Sequence, residues 1–425
     1  MKRQSEQGLD PIAADRPKRI LILSADAGFG HKAAANAIAS AACQREADRC
    51  EVTIINPLDH PDAPGLLVSA QDDYDQMIQN SPDLYRVGYQ ASDGAIPAVI
   101  AEQALTVMLY GVLRDILGEY EPDVVVTTYP LYQAPLATVN ALSRRHIPFL
   151  TVVTDLVTVH RMWFHESAEA CLVPTQAVAN KAIESGLAAD RVEITGLPVD
   201  PRLGGSTNKA DLRARLGWSP DRYVALFSGS RRVKKLEPVA QILNHSGLPV
   251  ALAIVTGGDN ELRARLESET WHQPTRIYGY VDNMWEMMKA ADFIVCKAGG
   301  LIVSEALAAG LPLLLAEAIP GQETGNAEHV SSGGAGILIE NPAEALMHVF
   351  HWLDNDGRAL SETAERSRAL GRPDAASRVA DRALEVARGG ARPVTRGLAA
   401  QLPRLRELLG LDSGKAAEAA PTGGA

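Results

Sequence analysis

The sequence predicts an α/β protein built from two doubly wound domains that face a central cleft. Short apolar runs of strand length alternate with helical patterns along most of its 425 residues, which is typical of βαβ units and a mostly parallel sheet. The alternation stops in the Gly- and Pro-rich stretch at 196–208 and then resumes. Such an interruption indicates a domain boundary, and the length suits roughly two or three domains of about 150 residues each.

The first domain is predicted over residues 19–200. Its first strand is the apolar run RILIL, 19–23, which a glycine turn joins to an alanine-rich helix that begins at His31. Residues 1–18 are polar and contain two prolines, so we expect a disordered lead-in. The later strands are predicted at 52–55, 124–127, 149–153, 171–173 and 192–194, and the helices at 96–118, 133–143 and 175–185.

The second domain is predicted over residues 209–388. In the tail, 389–425, we expect a short amphipathic helix at 398–411, broken by Pro403, and then disorder. Two doubly wound domains place a site in the cleft between them, because ligands bind beyond the carboxyl ends of strands in open α/β sheets. The strands of the second domain are predicted at 223–227, 250–255, 276–278, 292–296, 313–315 and 336–339, and a helix at 301–309.

Composition and charge narrow the class of protein. The formal net charge of −11 argues against a general affinity for nucleic-acid phosphates. Four cysteines without a CxxC pair suit a reducing cytosol better than a disulfide or metal-binding scaffold. The sequence has no run near the ~20 apolar residues of a spanning helix and no signal-peptide core at its N-terminus. We therefore expect a cytoplasmic protein that works from the aqueous side of a membrane.

The first glycine turn, GFGH at 28–31, lies between a predicted strand and a predicted helix. Glycines let the backbone approach a ligand, and a helix N-terminus offers unpaired N–H groups to it. The helix dipole also lowers the proton affinity of His31 and favours its neutral form, which can act as a base. The alternatives are a tight turn without a ligand and a dinucleotide site, although the second strand ends in Asn56-Pro57 and not in the acid that such a site needs.

The loop TDLVTVHRMWFH, 154–165, follows another predicted strand. Asp155 lies at the carboxyl end of that strand, and His160 and His165 flank Trp163. We interpret the loop as a lining of the cleft, with Asp155 as an acid–base or orienting group and Trp163 as an apolar wall. A zinc site and simple packing of Trp163 beside exposed histidines are the alternatives.

The second domain carries a sharper pattern. Gly299 and Gly300 open the N-terminus of a predicted helix to a phosphate or a sugar. Ser304 and Glu305 lie one turn into that helix, where a carboxylate can bind two ribose hydroxyls. The stretch IPGQETGNAEHV, 319–330, adds amide and carboxylate groups beside it. A solvated Glu305 is the alternative interpretation.

A further turn, SGSRRVKK at 228–235, combines small residues with basic side chains at the end of a strand. This combination is typical of a pyrophosphate cradle. For its two lysines, a solvated basic patch is an equal alternative.

Several stretches together resemble the monogalactosyldiacylglycerol synthase group. They are DAGFGHKAAANAI, TDLVTVHRMWFHESAEACLVPTQAVANKAI, EITGLPVDP, KAGGLIVSEALAAGLPLLL and IPGQETGNAEHV. The group includes bacterial processive diacylglycerol glucosyltransferases and is related to the peptidoglycan glycosyltransferase that adds N-acetylglucosamine to lipid I. The resemblance covers approximately residues 19–380, and its specific parts are TDLxTxHxxWFH and PGQExxN.

The resemblance implies a GT-B fold, in which two Rossmann-like domains hold a lipid acceptor in the N-terminal domain and a nucleotide sugar in the C-terminal one. It also implies inversion at the anomeric carbon without a catalytic metal. His31 matches a family histidine, and we expect it to be the base, with Asp155 as its competitor or orienting partner. The residues expected at the donor are Gly229, Ser230, Arg231, Gly279, Val281, Gly299, Gly300, Ser304, Glu305, Gln322, Glu323 and Asn326. Those expected at the acceptor are Gly28, Gly30, His160, Trp163 and His165.

The sequence departs from the family pattern at three places. SGSRRVKK replaces a GGG-type loop, so phosphate contacts there would rely on Arg231 or its neighbour. Asp200 replaces an arginine of the plant members, and Arg202 is the available substitute. Ala27 and Phe29 stand where the family commonly has Thr and Gly.

We therefore predict an inverting glycosyltransferase that moves galactose or glucose from a UDP-sugar to diacylglycerol or a related lipid, without a cofactor. We expect it to lie on the inner face of the cell membrane through an apolar flap at 66–95 and local basic residues such as Arg144 and Arg145. Core packing of the flap is the alternative. Two other functions remain open: an enzyme that uses a UDP-sugar with a soluble acceptor, such as an epimerase, and a non-catalytic nucleotide-sugar-binding protein.

Overall fold

The chain forms two parallel six-stranded sheets, each with helices on both faces. This computed structural model describes residues 16–26, 29–46, 49–69, 95–143, 145–229 and 233–393. The arrangement confirms the predicted α/β class. Each sheet with its helices is called a lobe below.

The strands and helices of the first lobe lie within two residues of their predicted bounds. The strands are β1 Lys18–Leu23, β2 Cys50–Ile55, β3 Val124–Thr127, β5 Phe149–Val152, β6 Ala170–Val173 and β7 Val192–Ile194, with a short unpredicted β4, Arg145–His146, before β5. The helices are α1 Phe29–Glu46, α2 Ala95–Tyr120, α3 Gln133–Leu142 and α4 Gln176–Glu184. The strand order is β2-β1-β3-β5-β6-β7.

Strand β1 shows why the first sheet is covered on both faces. Ile20 and Ile22 pack in one buried cluster with the alanines of α1, whereas Leu21 and Leu23 pack in another with α2 and α3. A strand that is apolar at successive positions must bury both of its faces, as strands of parallel sheets do. The first lobe therefore presents its polar groups at the strand ends, where ligands can reach them.

The second lobe follows the same plan. Its strands are β8 Tyr223–Ser228, β9 Val250–Val255, β10 Thr275–Tyr278, β11 Phe293–Lys297, β12 Leu313–Glu317 and β13 Gly336–Leu338, in the order β10-β9-β8-β11-β12-β13. Its helices are α5 Lys209–Leu216, α6 Leu236–Asn244, α7 Asn260–Ser268, α8 Met284–Ala290, α9 Gly300–Ala309, α10 Thr324–Ser332 and α11 Pro342–Leu370. The predicted strands of this lobe also agree within two residues.

The helix α12, Ala375–Gly389, lies in the range predicted for the second domain, but it packs on the first sheet. Ala376, Val379 and Ala383 belong to the same buried cluster as Ile20 and Ile22. Amphipathic spacing identifies the buried face of a helix without identifying the sheet that covers it. The chain then adds β14, Arg392–Pro393, which pairs antiparallel with β4.

The predicted disordered lead-in lies outside the described residues up to residue 15, and the predicted helix at 398–411 lies wholly outside them. Among the helices of the described part of the chain, none combines the length and the apolar composition that crossing a bilayer requires.

Candidate active site

The two predicted glycine turns lie where the strand order of each sheet reverses. In the first lobe this point lies between β1, which leads to α1, and β3. In the second lobe it lies between β8, which leads to Gly229, and β11, which leads to the Gly299–Gly300 turn. Open α/β sheets bind ligands in the crevice beyond the strand ends at such points.

His31 lies in the first turn of α1 and is held through one ring nitrogen. Its Nδ1 lies 2.8 Å from the carbonyl oxygen of Thr128 and 2.8 Å from the hydroxyl oxygen of Thr154. Because a carbonyl oxygen can only accept, Nδ1 carries the hydrogen and Nε2 is unprotonated. Burial lowers the pKa of His31 to about 4, and the bond to Thr128 offsets only part of this effect. The ring is therefore neutral at pH 7, with Nε2 able to take a proton.

Aromatic rings surround His31, and one of them holds Asp155. The Tyr129 ring packs edge-on at 5.0 Å between centroids, and the Trp163 ring lies at 6.1 Å. The indole N–H of Trp163 donates to Asp155 Oδ2 over 2.7 Å. Burial raises the pKa of Asp155 to about 6, although this bond lowers it. The orienting contacts of His31 come from the two threonines, whereas Asp155, predicted as a competing base or as an orienting partner, is bonded to Trp163.

The two histidines of the loop at 154–165 make local contacts. Nδ1 of His160 accepts the backbone N–H of Met162, and Nδ1 of His165 accepts that of Ser167. Both rings therefore carry their hydrogen on Nε2 when neutral and fix the shape of their own loop. Within the described ranges, no group of three His, Cys, Asp or Glu side chains is placed to hold a metal ion.

The remaining residues expected on the acceptor side are Trp163, Gly30 and Gly28. Trp163 is only 1% exposed and packs in the core of the first lobe with Val153 and Phe164, so it forms a wall behind His31. Gly30 has open space where a side chain would project. Gly28 lies outside the described residues.

In the second lobe, the glycine turn leaves the N-terminus of α9 without a side-chain cap. Gly299 is the N-cap residue and supplies no side-chain oxygen to the first backbone N–H groups. Ser304 does not replace it, because its hydroxyl donates to the carbonyl oxygen of Gly300 over 2.7 Å. The first turn of α9 therefore presents backbone donors and the positive end of the helix dipole, which together favour an anion.

Glu305 lies on the second turn of α9 and is half-buried. Burial raises its pKa to about 8, and the charge of Asp200 contributes in the same direction. This burial disagrees with the alternative of a solvated side chain. A carboxyl group near its pKa is present in both forms, so it can donate to or accept from the hydroxyls of a ribose.

Asp200, in the segment between the lobes, is itself paired with Arg202. The guanidinium donates from Nε and Nη2 to both carboxylate oxygens, at 2.6 Å for the Nη2 bond, and it lies 4.7 Å from the ring centroid of Trp285. Arg202 is thus held by a bidentate pair and a cation–π contact. The guanidinium donors of Arg202 that do not bond Asp200, on a side chain that is half exposed, are the ones that a phosphate could reach.

A charged pair that we did not predict lies beside the second glycine turn. Lys297 Nζ donates to Glu323 Oε1, and Glu323 Oε2 accepts the backbone N–H of Ile319 over 3.1 Å. A Cβ atom on Gly299 would lie 3.0 Å from Lys297 Nζ and 3.4 Å from Glu323 Oε1. Glu323 therefore neutralises a lysine at the turn. The position of Lys297 at a strand end, directly before the glycines, is the sequence signal that could have identified it.

Two further residues predicted at the donor lie on either side of Glu323. Asn326 is buried, donates from Nδ2 to the carbonyl oxygen of Ala298 over 2.9 Å, and has a buried Oδ1 without a hydrogen-bond partner. Gln322 is half-buried in the turn that precedes α10. The Asn326 contact ties α10 to the residue just before the glycine turn.

The predicted pyrophosphate cradle is only partly described. Gly229 donates its backbone N–H to the carbonyl oxygen of Val255 over 2.7 Å, and a Cβ atom there would lie 3.0 Å from the same oxygen. Lys235 donates to the carbonyl oxygen of Ile339 over 3.1 Å. Ser230, Arg231 and Arg232 lie outside the described residues. The close approach of Gly229 to Val255 is thus enough to explain why a glycine stands at this position, whether or not a ligand binds there.

Gly279 and Val281, which are predicted at the donor, follow β10 and are half-buried. A Cβ atom on Gly279 would lie 3.1 Å from Nη1 of Arg263. These residues lie at the same carboxyl edge of the second sheet as Gly229, because β8, β9 and β10 are parallel neighbours.

The two sites meet through the loop that carries Thr154. A Cβ atom on Gly300 would lie 3.3 Å from the carbonyl oxygen of Thr154, whose hydroxyl contacts His31. His31 and the N-terminus of α9 therefore lie on either side of the same residue, Thr154.

Comparison with known protein families identifies relatives over most of the chain. The model of monogalactosyldiacylglycerol (MGDG) synthase matches residues 31–199, and that of the glycosyltransferase family 28 C-terminal domain matches residues 224–379. The probable monogalactosyldiacylglycerol synthase of Glycine max is 31% identical over 87% of this chain and 71% of its own length. Monogalactosyldiacylglycerol synthase 1 of Arabidopsis thaliana is 31% identical over 88% of this chain and 72% of its own.

Solved structures of the same architecture share little sequence with the chain. MurG of Acinetobacter baumannii superposes with a TM-score of 0.56 at 16% identity, covering 87% of this chain and 100% of that one. The UDP-GlcNAc 2-epimerase of Neisseria meningitidis superposes with a TM-score of 0.57 at 14% identity, with the same coverage. These similarities concern the fold alone and confirm the GT-B prediction. The relatives described above show that the chain belongs to the monogalactosyldiacylglycerol synthase family and is a glycosyltransferase.

Proposed function

We propose that this protein transfers galactose from UDP-galactose to the free hydroxyl of diacylglycerol, with inversion at the anomeric carbon. The observation that carries the proposal is that a neutral His31 and the uncapped N-terminus of α9 both lie against Thr154, the first at its hydroxyl and the second at its carbonyl oxygen. The first feature suits a base and the second suits a diphosphate. The names of the plant relatives support the choice of sugar and lipid.

In this reaction His31 is the base. An alcohol is a poor nucleophile at pH 7, so its proton must be taken as the new bond forms. The acceptor oxygen forms a bond to the anomeric carbon, and its proton passes to Nε2 of His31. The bond from that carbon to the β-phosphate oxygen breaks, and its electron pair leaves with UDP. Attack opposite the leaving group inverts the configuration.

The second lobe supports the departure of UDP. The N-terminus of α9 supplies positive charge where the diphosphate gains negative charge, without reorganisation during the reaction. No metal or cofactor takes part in this scheme. We assign the ribose to Glu305, the sugar to Gln322, Glu323 and Asn326, and the rest of the nucleotide to Gly229, Gly279, Val281, Gly299, Gly300 and Ser304.

A lipid acceptor requires access to a membrane surface, and we propose that the protein binds one peripherally. Two large apolar side chains of the first lobe support this: Leu66 is 74% exposed, and Val107 on α2 is 83% exposed. Residues 70–94 of the predicted flap lie outside the described residues, as does Arg144. The inner face of the cell membrane stays a prediction.

The test is to offer the purified full chain UDP-galactose or UDP-glucose with diacylglycerol in mixed micelles and to identify the product by mass spectrometry. We expect a monohexosyl lipid and one UDP released per lipid formed, with UDP-galactose the better donor. A reaction without lipid is the control, because the same fold occurs in an epimerase. Isomerisation of the UDP-hexose without lipid would contradict the proposal, as would UDP binding without turnover.

A further inference from the structure

A loop of the first lobe packs against two glycines of the second lobe. A Cβ atom added to either glycine would lie at or within van der Waals contact of this loop. A Cβ atom on Gly325, in the first turn of α10, would lie 2.7 Å from Thr158 Oγ1 and 3.0 Å from Val157 Cγ1. A Cβ atom on Gly300 would lie 3.3 Å from the carbonyl oxygen of Thr154 and 3.5 Å from Leu156 Cβ. We call this contact, of residues 154–158 with Gly300 and Gly325, the lobe seam.

The loop in the lobe seam is fixed to both lobes. The carbonyl oxygen of Leu156 accepts from the hydroxyl of Thr175 over 3.0 Å, which ties the loop to the first lobe. The side chain of Leu156 is buried among residues of the second lobe, including Ala298 and Val303. The loop therefore cannot move with one lobe without disturbing its contacts to the other.

The same loop holds the proposed base, because the hydroxyl of Thr154 lies 2.8 Å from Nδ1 of His31. Gly300 is the first residue of α9, the helix assigned to the donor diphosphate. One continuous contact thus runs from the imidazole through Thr154 to the donor turn.

We propose that Gly325 and Gly300 are positioning residues: by admitting the loop they set the distance between His31 and the bound donor. This inference rests on the proposed function. Replacing Gly325 should disturb this distance more than replacing Gly300, because a Cβ atom at 2.7 Å from Thr158 Oγ1 forces Thr158 to move. The two side chains that the Cβ atom would meet, those of Thr158 and Val157, are β-branched and stiff. A misplacement of about 1 Å at a reacting centre can cost about 10²-fold in rate.

The test is a graded series, Gly325→Ala and Gly325→Val, with the second-site variant Thr158→Ala. We expect Gly325→Ala to lower kcat about 10-fold to 100-fold, with an unchanged Kd for UDP and an unchanged melting temperature, and Gly325→Val to lower kcat further. In Thr158→Ala/Gly325→Ala most of the lost kcat should return. Gly118→Ala is the matched control, because Gly118 lies on α2 with nothing near its missing Cβ.

Wild-type kcat in Gly325→Ala would overturn the inference, as would equal losses of kcat and UDP affinity or a double variant without recovery.

A second measurement does not depend on activity. In a Cys43→Ser background, which removes the exposed native thiol, Thr158→Cys/Gly325→Cys should form a disulfide under mild oxidation. Failure of that bond would also overturn the inference, whereas a disulfide in the double-cysteine variant, together with a wild type that transfers no hexose, would reject only the proposed function.

Discussion

In the first lobe β1 leads to the first turn of α1, and in the second lobe β11 leads through Gly299 to the first turn of α9. Both turns lie where the strand order reverses. At the first, a half-buried imidazole with a pKa of about 4 is held by two oxygens on Nδ1. At the second, an uncapped helix end lies beside Lys297. The same backbone plan thus positions a base in one lobe and favours an anion in the other, and the side chains beside the turn decide which.

The largest expected effect concerns the base. His31→Ala should lower kcat about 10²-fold to 10⁴-fold, the range for loss of a positioned base. Its Kd for UDP, measured by calorimetry, should not change, because His31 lies in the other lobe. His351→Ala, an exposed histidine on α11, is the control. Unchanged turnover in His31→Ala would show that His31 is not the base, and the proposed difference in function between the two turns would be wrong.

The next effect concerns the anion side. At pH 9, above the pKa of about 8, Glu305→Ala should weaken UDP binding about 10-fold to 100-fold, because hydrogen bonds to a charged carboxylate are worth about 1.5–3 kcal/mol. Glu362→Ala, on the exposed face of α11, should bind UDP as the wild type does. Calorimetry measures both. Wild-type affinity for UDP in Glu305→Ala would show that Glu305 does not bind the nucleotide.

The pH dependence of kcat/KM distinguishes the two candidate bases. The acidic limb reports the pKa of the essential base in the free enzyme. It should fall near pH 4 if His31 is the base, because burial lowers its pKa to about 4. An acidic limb near pH 6 would indicate Asp155, whose pKa burial raises to about 6.

Glu305 also predicts a pH effect on stability. Its pKa is about 8 in the folded protein and ordinarily near 4.3 in an unfolded chain. Between these values the folded state holds the extra proton, so the free energy of unfolding falls as pH rises. Glu305→Gln should show a shallower fall between pH 5 and pH 8 in denaturant titrations. Parallel curves for the two proteins would contradict the raised pKa.

The smallest effect concerns the orientation of His31. Thr154→Val removes the hydroxyl at Nδ1 and keeps the shape of the side chain, whereas the carbonyl oxygen of Thr128 still fixes the tautomer. We expect kcat to fall about 3-fold to 10-fold, in line with one hydrogen bond of about 1 kcal/mol. A loss as large as that of His31→Ala would assign Thr154 more than an orienting role.

The sequence predicts local structure well and distant contacts poorly in this protein. The bounds of β3 and β9 agree with prediction because each is a continuous apolar run between turn residues. The partner of α12 could not be predicted, since its apolar face suits either sheet. Thr128 and Thr154 contact His31 from 97 and 123 residues away, a separation that no local pattern records.

In the candidate site, too, local features could be predicted from the sequence and contacts between distant residues could not. The glycine turns, His31 and Glu305 could be identified from strand–turn–helix spacing. The pairing of Glu323 with Lys297 could not, because it joins side chains 26 residues apart across the glycine turn. The contacts of Thr128 and Thr154 with His31 and the bond from Trp163 to Asp155 could not be predicted either, because each depends on how distant or looped segments pack.

The most direct measurement of the central claim is the proton NMR spectrum of the lipid formed from UDP-galactose and diacylglycerol by the full chain. The donor sugar is α-linked, so single attack opposite the departing UDP predicts a β-linked galactosyl lipid. An α-linked product, or no galactosyl lipid from a chain that binds UDP, would contradict the account.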